Sequence, residues 1–147
     1  MKQITPRQIT EQTIGIPGSK SISHRMLICA ALSCGTSTIA SLLNSDDISL
    51  TMAALANMGA GIDKQIGDTY QITGFGGYPK PCESSIYLGN SGTSMRLLAG
   101  IAALGKTPYT LTGDARMCER PMQELLDALQ MLNIRADASG HQGTPPV

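Results

Sequence analysis

The apolar positions of the chain repeat with two different periods. Met122, Leu125, Leu126, Leu129 and Leu132 recur at helical spacing, and Pro121 suits a first helical turn. Leu50, Ala53, Ala54 and Met58 form a second stripe behind "SDD", where Ser45 or Asp46 can cap the helix. Two more helices are predicted from near Lys20 and near Thr93, the latter with Leu97, Leu98, Ile101 and Leu104 as its inner face. Between them lie short strand candidates: "TIGIP" (13–17), "TSTIASLL" (36–43), "GIDKQI" (61–66), "TYQIT" (69–73), "SSIYL" (84–88) and "PYTLTG" (108–113).

These elements repeat. "ALANMGAGID" (54–63) matches "ALQMLNIRAD" (128–137) at a displacement of 74, and the helices near Lys20 and Thr93 are displaced by a similar amount. The pattern predicts an α/β (α+β) fold in which a β-α-β-α-β-β unit is made twice, over residues 16–74 and 75–147, after a leading strand segment at 1–15. The counterpart of "TYQITG" would begin at Gly143, so the chain stops inside that strand, and the expectation is a fragment of a longer protein.

Composition narrows the chemistry. Hydrophobic residues make up 41% and aromatic ones 3% of the 147, which calls for an aliphatic core. Eleven basic residues balance eleven acidic ones, so no overall field draws nucleic acid or an acidic membrane. Cys29, Cys34, Cys82 and Cys118 form no C-x-x-C pair, and only His24 and His141 stand ready to join a metal site, which argues against structural zinc. Cys29 reads as a small buried thiol inside a helix. With no signal sequence and no apolar run near the roughly 20 residues of a membrane span, the expectation is a reduced, cytoplasmic protein.

Local charge is more telling. Basic residues gather at three helix starts: Lys20 and Arg25 in "IPGSKSISHR", Arg96 after "NSGTS", and Arg116 and Arg120 in "GDARMCERPM". Each opposes the helix dipole by roughly 0.3–1 kcal/mol when exposed. Three together suggest an anion that offsets the cost. Ser21 and Arg25 share a helical face, Gly18 and Gly92 admit a ligand to backbone N–H groups, and Arg120 can fork onto a carboxylate or phosphate. The reading is a polyanionic small-molecule site. Plainer roles stand beside it: Ser91, Thr93 and Ser94 as caps, Arg116 paired with Asp114 or Glu119, His24 as a structural residue, and Arg96 either on the helix surface or at the ligand. "GSKS" is no P-loop, because Ser19 precedes Lys20 where that motif needs glycine.

"PGSKSISHR", "LGNSGTSMRLL" and "LTGDARMCERPM", in this order, resemble the N-terminal part of the EPSP synthase (3-phosphoshikimate 1-carboxyvinyltransferase) family across essentially the whole chain. The resemblance implies two lobes of three repeated units each, with helices inside and sheets outside. The first fifteen residues would pair with a second lobe, itself the partner of this part. It also implies enolpyruvyl transfer from phosphoenolpyruvate to the 5-hydroxyl of shikimate 3-phosphate, on the way to chorismate and the aromatic amino acids, with neither metal nor organic cofactor. Matched residue by residue, Lys20 lies between the substrates as the catalytic candidate, and Ser21 and Arg25 contact shikimate 3-phosphate. Gly92 and Arg120 serve phosphoenolpyruvate, and Asn90 and Thr93 belong to the same turn. Acid–base roles fall largely to the other lobe, since no carboxylate pair is evident near the three motifs. The family's turn often reads Asn-Ala-Gly-Thr-Ala-Met-Arg-Pro, whereas Ser91, Ser94 and Leu97 stand here. Glycine at position 92 is expected to keep the site open to glyphosate. Two alternatives remain: the sister enzyme acting on UDP-N-acetylglucosamine, whose motif has Lys-Asn where Lys20-Ser21 stands and for whose reactive cysteine Cys118 is misplaced, and a non-catalytic anion-binding half-site.

Overall fold

The computed structural model describes residues 11–147. Helix α1 (Lys20–Leu32) begins under Ser19, whose hydroxyl accepts the N–H of Ile22. It ends where the loop after the first sheet folds back: Phe75 N–H donates to Ala31 O (2.8 Å) and Gly76 N–H to Ser33 O (3.0 Å). Strand β1 (Thr36–Ile39) leads to α2 (Asp46–Asn57), capped by Ser45, and then to the hairpin β2 (Gly61–Lys64) and β3 (Tyr70–Thr73). The three strands form an antiparallel sheet in the order β1-β3-β2, with Thr36 and Gly61 both opposite Thr73. The β1–α2–β2 connection thus passes over the central strand. Ile72 of that strand is fully buried, while Gln71 and Thr73 face out, the alternation of a half-covered sheet.

The second half repeats the motion with shorter strands. β4 (Ile86–Tyr87) leads through α3 (Gly92–Ala102) to β5 (Leu111–Thr112), and the two strands pair in parallel. A 3-10 turn (Met117–Glu119) precedes α4 (Gln123–Met131). Val147 then exchanges both backbone hydrogen bonds with Leu111 (2.7 and 3.0 Å), beside the two-stranded β4–β5 sheet. One aliphatic core runs through both halves, from Leu27, Leu55, Met58 and Ile72 to Leu88, Met95, Leu98, Leu111 and Met122.

All four predicted helices form, and five of the six strand candidates contribute a strand. "TIGIP" does not, because a strand needs a partner for its N–H and C=O groups, and no backbone hydrogen bond ties residues 11–18 to another described segment. The rest of the segment expected at 1–15 lies largely outside the described residues. Several faces also turn out differently. Cys29 is exposed, on a side of α1 shared with Ile22 and Met26. Leu104 and Leu132 lie past the ends of α3 and α4 and are exposed (44% and 69%). Ala53 faces solvent, and Ile48, Thr51, Ala54 and Leu55 make the buried side of α2. Each misreading has one cause: a helical period marks a stripe, but the packing partner decides which residues along its margins are covered. Pro121 precedes α4 instead of opening it.

Gly18 has a different use from the one expected. A Cβ there would collide with the carbonyl of Ser41, so its bareness lets the loop after β1 close against the start of α1, not a ligand. Ser23 fastens the same contact, its hydroxyl accepting the N–H of Leu43 (3.1 Å).

Candidate anion-binding cleft

Three helix starts meet at one open cleft of about 470 Å³, lined by Lys20, Asp47, Asn90, Gly92, Thr93, Arg96 and Arg120. Lys20 opens α1, Asp47 lies in the first turn of α2, and Asn90 through Arg96 form the turn into α3. Arg120 reaches in from the extended residue after the 3-10 turn. Cap chemistry and tight turns put these residues at element starts, where backbone N–H groups face outward.

The Lys20 ammonium pairs with Asp47 Oδ2. The hydrogen bond and charge of Lys20 hold the Asp47 carboxyl below its ordinary range against the effect of burial, helped by the nearby Ser91 hydroxyl and His24. Asp47 is therefore ionised at neutral pH, and three cations face a single carboxylate. Arg96 Nη2 donates to the Pro121 carbonyl (2.8 Å), tying α3 to the segment before α4 while its guanidinium borders the cleft. Among the described residues Arg120 makes only a long contact, 3.5 Å from Nη1 to the Asn90 carbonyl, which leaves most of its donors uncommitted there. A Cβ on Gly92 would lie 2.9 Å from Arg120 Nη1, so the bare α-carbon makes room for the guanidinium.

The fold thus gathers Lys20, Asn90, Gly92, Thr93 and Arg120 of the sequence-predicted residues. Ser21 and Arg25 do not line the cleft; they sit together on the exposed face of α1, where Arg25 Nη1 donates to the Ser21 carbonyl (3.0 Å) and contacts its hydroxyl. Arg116 pairs with Glu119 (2.6 Å), as the plainer reading had it, and Asp114 caps the 3-10 turn by accepting Met117 N–H. His24 is wholly buried, its Nδ1 2.9 Å from the Thr51 hydroxyl. Burial lowers its pKa, with Lys20 and Arg25 adding to the effect and Asp47 opposing it. Sequence reasoning missed Asp47. Its signal was "SDD", read only as a cap.

A cavity of about 550 Å³ between α3, α4 and the last strand is mainly apolar, and its Arg135 and Asp137 pair with each other (3.0 Å). Anion chemistry therefore belongs to the smaller cleft. No helix of the described residues is long and apolar enough to cross a membrane.

Comparison with known proteins places this geometry. The 3-phosphoshikimate 1-carboxyvinyltransferase of Ralstonia pickettii is 39% identical over 144 residues, covering 98% of this chain and 33% of that protein. The enzyme of the same name from Methanococcus aeolicus is 44% identical over 142 residues, covering 94% and 33%. The chain spans about a third of the length of the curated relatives it matches. The solved EPSP synthase of Acinetobacter baumannii superposes with a TM-score of 0.85 at 36% identity, over 90% of this chain and 30% of that one. The family model for EPSP synthase (3-phosphoshikimate 1-carboxyvinyltransferase) matches residues 4–147. With the family model matched over residues 4–147 and the fold shared with a solved member, the chain belongs to the EPSP synthase family.

Proposed function

We propose that this chain carries one wall of an enolpyruvyl-transfer site. In this reading Arg120 and the bare backbone at Gly92 hold phosphoenolpyruvate, with Asn90 and Thr93 in the same turn. Ser21 and Arg25 hold shikimate 3-phosphate, and Lys20 lies between the two. The observation that carries the reading is the meeting of Lys20, Arg96 and Arg120 at one cleft. Both substrates are polyanions, and fixed cations offset the repulsion between them while N–H donors hold the reacting atoms close.

In the reaction the 5-hydroxyl oxygen bonds to the enol carbon as the methylene carbon takes a proton and the hydroxyl loses one. The tetrahedral intermediate then loses phosphate and a methyl proton, restoring the enol double bond. Lys20, paired with Asp47, suits the stabilisation of the departing phosphate. The other acid–base groups, and closure over the substrates, are assigned to a second lobe of the same protein. Residues 16–74 and 75–147 are read as two repeats of one lobe. The setting is cytoplasmic, and no metal or organic cofactor takes part.

Calorimetric titration with shikimate 3-phosphate and phosphoenolpyruvate tests the site. The expected result for this chain alone is weak binding of shikimate 3-phosphate, abolished by Arg25→Ala, without turnover. Unchanged binding in that variant overturns the assignment of Arg25. Enolpyruvyl transfer to a UDP-sugar by the full-length protein would favour the sister activity instead. Millimolar glyphosate without effect on the full-length enzyme would show that Gly92 does not keep the site open to it.

A further inference from the structure

Beneath the cleft, four fully buried polar side chains from α1, α2 and the start of α3 stand in line: His24, Thr51, Ser94 and Ser91. His24 Nδ1 lies 2.9 Å from Thr51 Oγ1, Thr51 Oγ1 lies 2.8 Å from Ser94 Oγ, and Ser94 Oγ lies 2.6 Å from Ser91 Oγ. Thr51 Oγ1 and Ser94 Oγ also reach the backbone carbonyl of Asp47 (3.0 and 3.5 Å), whose carboxylate pairs with Lys20. Two of the four, Ser91 and Ser94, stand where the family's turn often has alanine.

The proton order follows from the acceptors. The Ser91 oxygen accepts the Ser94 N–H as a cap (3.4 Å) and has a second lone pair for the Ser94 hydroxyl. The Thr51 hydroxyl has its acceptors on the side away from the imidazole: Ser94 Oγ and the Asp47 carbonyl, the latter at 3.0 Å. Its lone pairs therefore face His24, and Nδ1 must carry the hydrogen. Nε2 is then a bare acceptor, and it has no partner among the described residues. A second proton there would bring a buried charge near Lys20 and Arg25 of α1, opposed only by Asp47 of α2, so the neutral ring is favoured.

We propose that His24, Thr51, Ser94 and Ser91 are positioning residues: an oriented imidazole–hydroxyl relay that locks the start of α3 onto Asp47 and so sets how Asn90 and Gly92 face the anion cleft. The ligand-binding part of this inference rests on the function proposed above. The positioning part is readable without ligand.

The test uses nuclear magnetic resonance and calorimetry on the whole 147-residue chain. The ring nitrogens of His24 are expected to show the neutral Nδ1–H tautomer at pH 7. An Nε2–H ring or an imidazolium overturns the relay. Thr51→Val and Ser94→Ala are expected to shift the Asn90 and Gly92 amides, with Thr51→Ser restoring them. His24→Asn, which keeps an N–H at the δ position, is expected to preserve them where His24→Leu does not. Phosphoenolpyruvate affinity, measured with shikimate 3-phosphate present, is expected to fall roughly threefold to tenfold in Thr51→Val, the equivalent of one hydrogen bond. A lower melting temperature with unmoved amides and unchanged affinity would mark the four as merely structural and overturn the proposal. Should the wild-type chain bind neither anion, the functional reading fails, and the tautomer and amide shifts still decide the relay.

Discussion

The starts of α2 and α3 use the same cap. In each, a serine side chain accepts the N–H three residues on, Ser45 from Ile48 and Ser91 from Ser94, both at 3.4 Å. The α2 start then supplies its own counter-charge, with Asp46 and Asp47 in its first turn. The first turn of α3 holds no acid, its serines are buried, and Arg96 and Arg120 stand over it. One start is electrostatically complete within four residues, and the other has no acid of its own. Asp47 joins them, because it belongs to α2 but faces the cleft. The contrast shows that a missing carboxylate at a capped helix start carries information when cations from other elements converge there.

The sharpest way to break the contrast is Arg120→Ala. Phosphoenolpyruvate affinity is expected to fall roughly 100-fold, as when hydrogen bonds to a charged group are lost. The melting temperature should barely move, since among the described residues Arg120 makes only its 3.5 Å contact with Asn90. Unchanged affinity by calorimetry would remove Arg120 from the site. Gly92→Ala comes next: its methyl would sit 2.9 Å from Arg120 Nη1 and push the guanidinium aside, for about a tenfold loss of affinity at nearly constant stability.

Serine caps separate the two starts by stability. Ser45→Ala should cost about 1 kcal/mol in urea unfolding, as a half-buried cap does. Ser91→Ala should cost about 2 kcal/mol, since it also strips the buried Ser94 hydroxyl of an acceptor. Equal costs would show that burial adds nothing at α3.

The pH dependence of unfolding reads the buried groups. His24 has a lowered pKa in the folded chain, so below its ordinary 6.5 the unfolded chain gains a proton that the folded one resists. Stability should therefore fall as pH drops from 6.5 toward the folded value, and His24→Asn should remove that limb. Asp47, also lowered, contributes stability that is present above its ordinary 3.8 and lost as pH falls through the folded value. Asp47→Asn should flatten this second, more acidic limb. The smallest effect belongs to Arg116→Ala. Its pair with Glu119 is exposed on both sides (69% and 62%) and should be worth about 0.5 kcal/mol or less.

Much of the fold was legible because it is local. The helix starts at Lys20, Asp46 and Gly92 follow from Ser19, Ser45 and Ser91 and the apolar stripes behind them. The strands around Ile39, Ile72 and Ile86 follow from short β-branched runs between turns. Margins were not legible. Cys29, Leu104 and Leu132 fit the helical period yet stay exposed, because nothing packs on them. "TIGIP" has strand composition without a strand partner among the described residues.

At the cleft, sequence alone determined that small and basic residues sit at helix starts and that glycine occupies position 92. Only the tertiary structure decided that Asp47 holds Lys20, that Arg120 fills the space Gly92 leaves, and that His24 reaches Ser91 through Thr51 and Ser94. A cap or a helical stripe is closed by residues at most four apart. The relay contacts join residues 27 and 43 apart, and Arg120 meets Asn90 across 30. Such partners are chosen by how the helices pack, which no local pattern records.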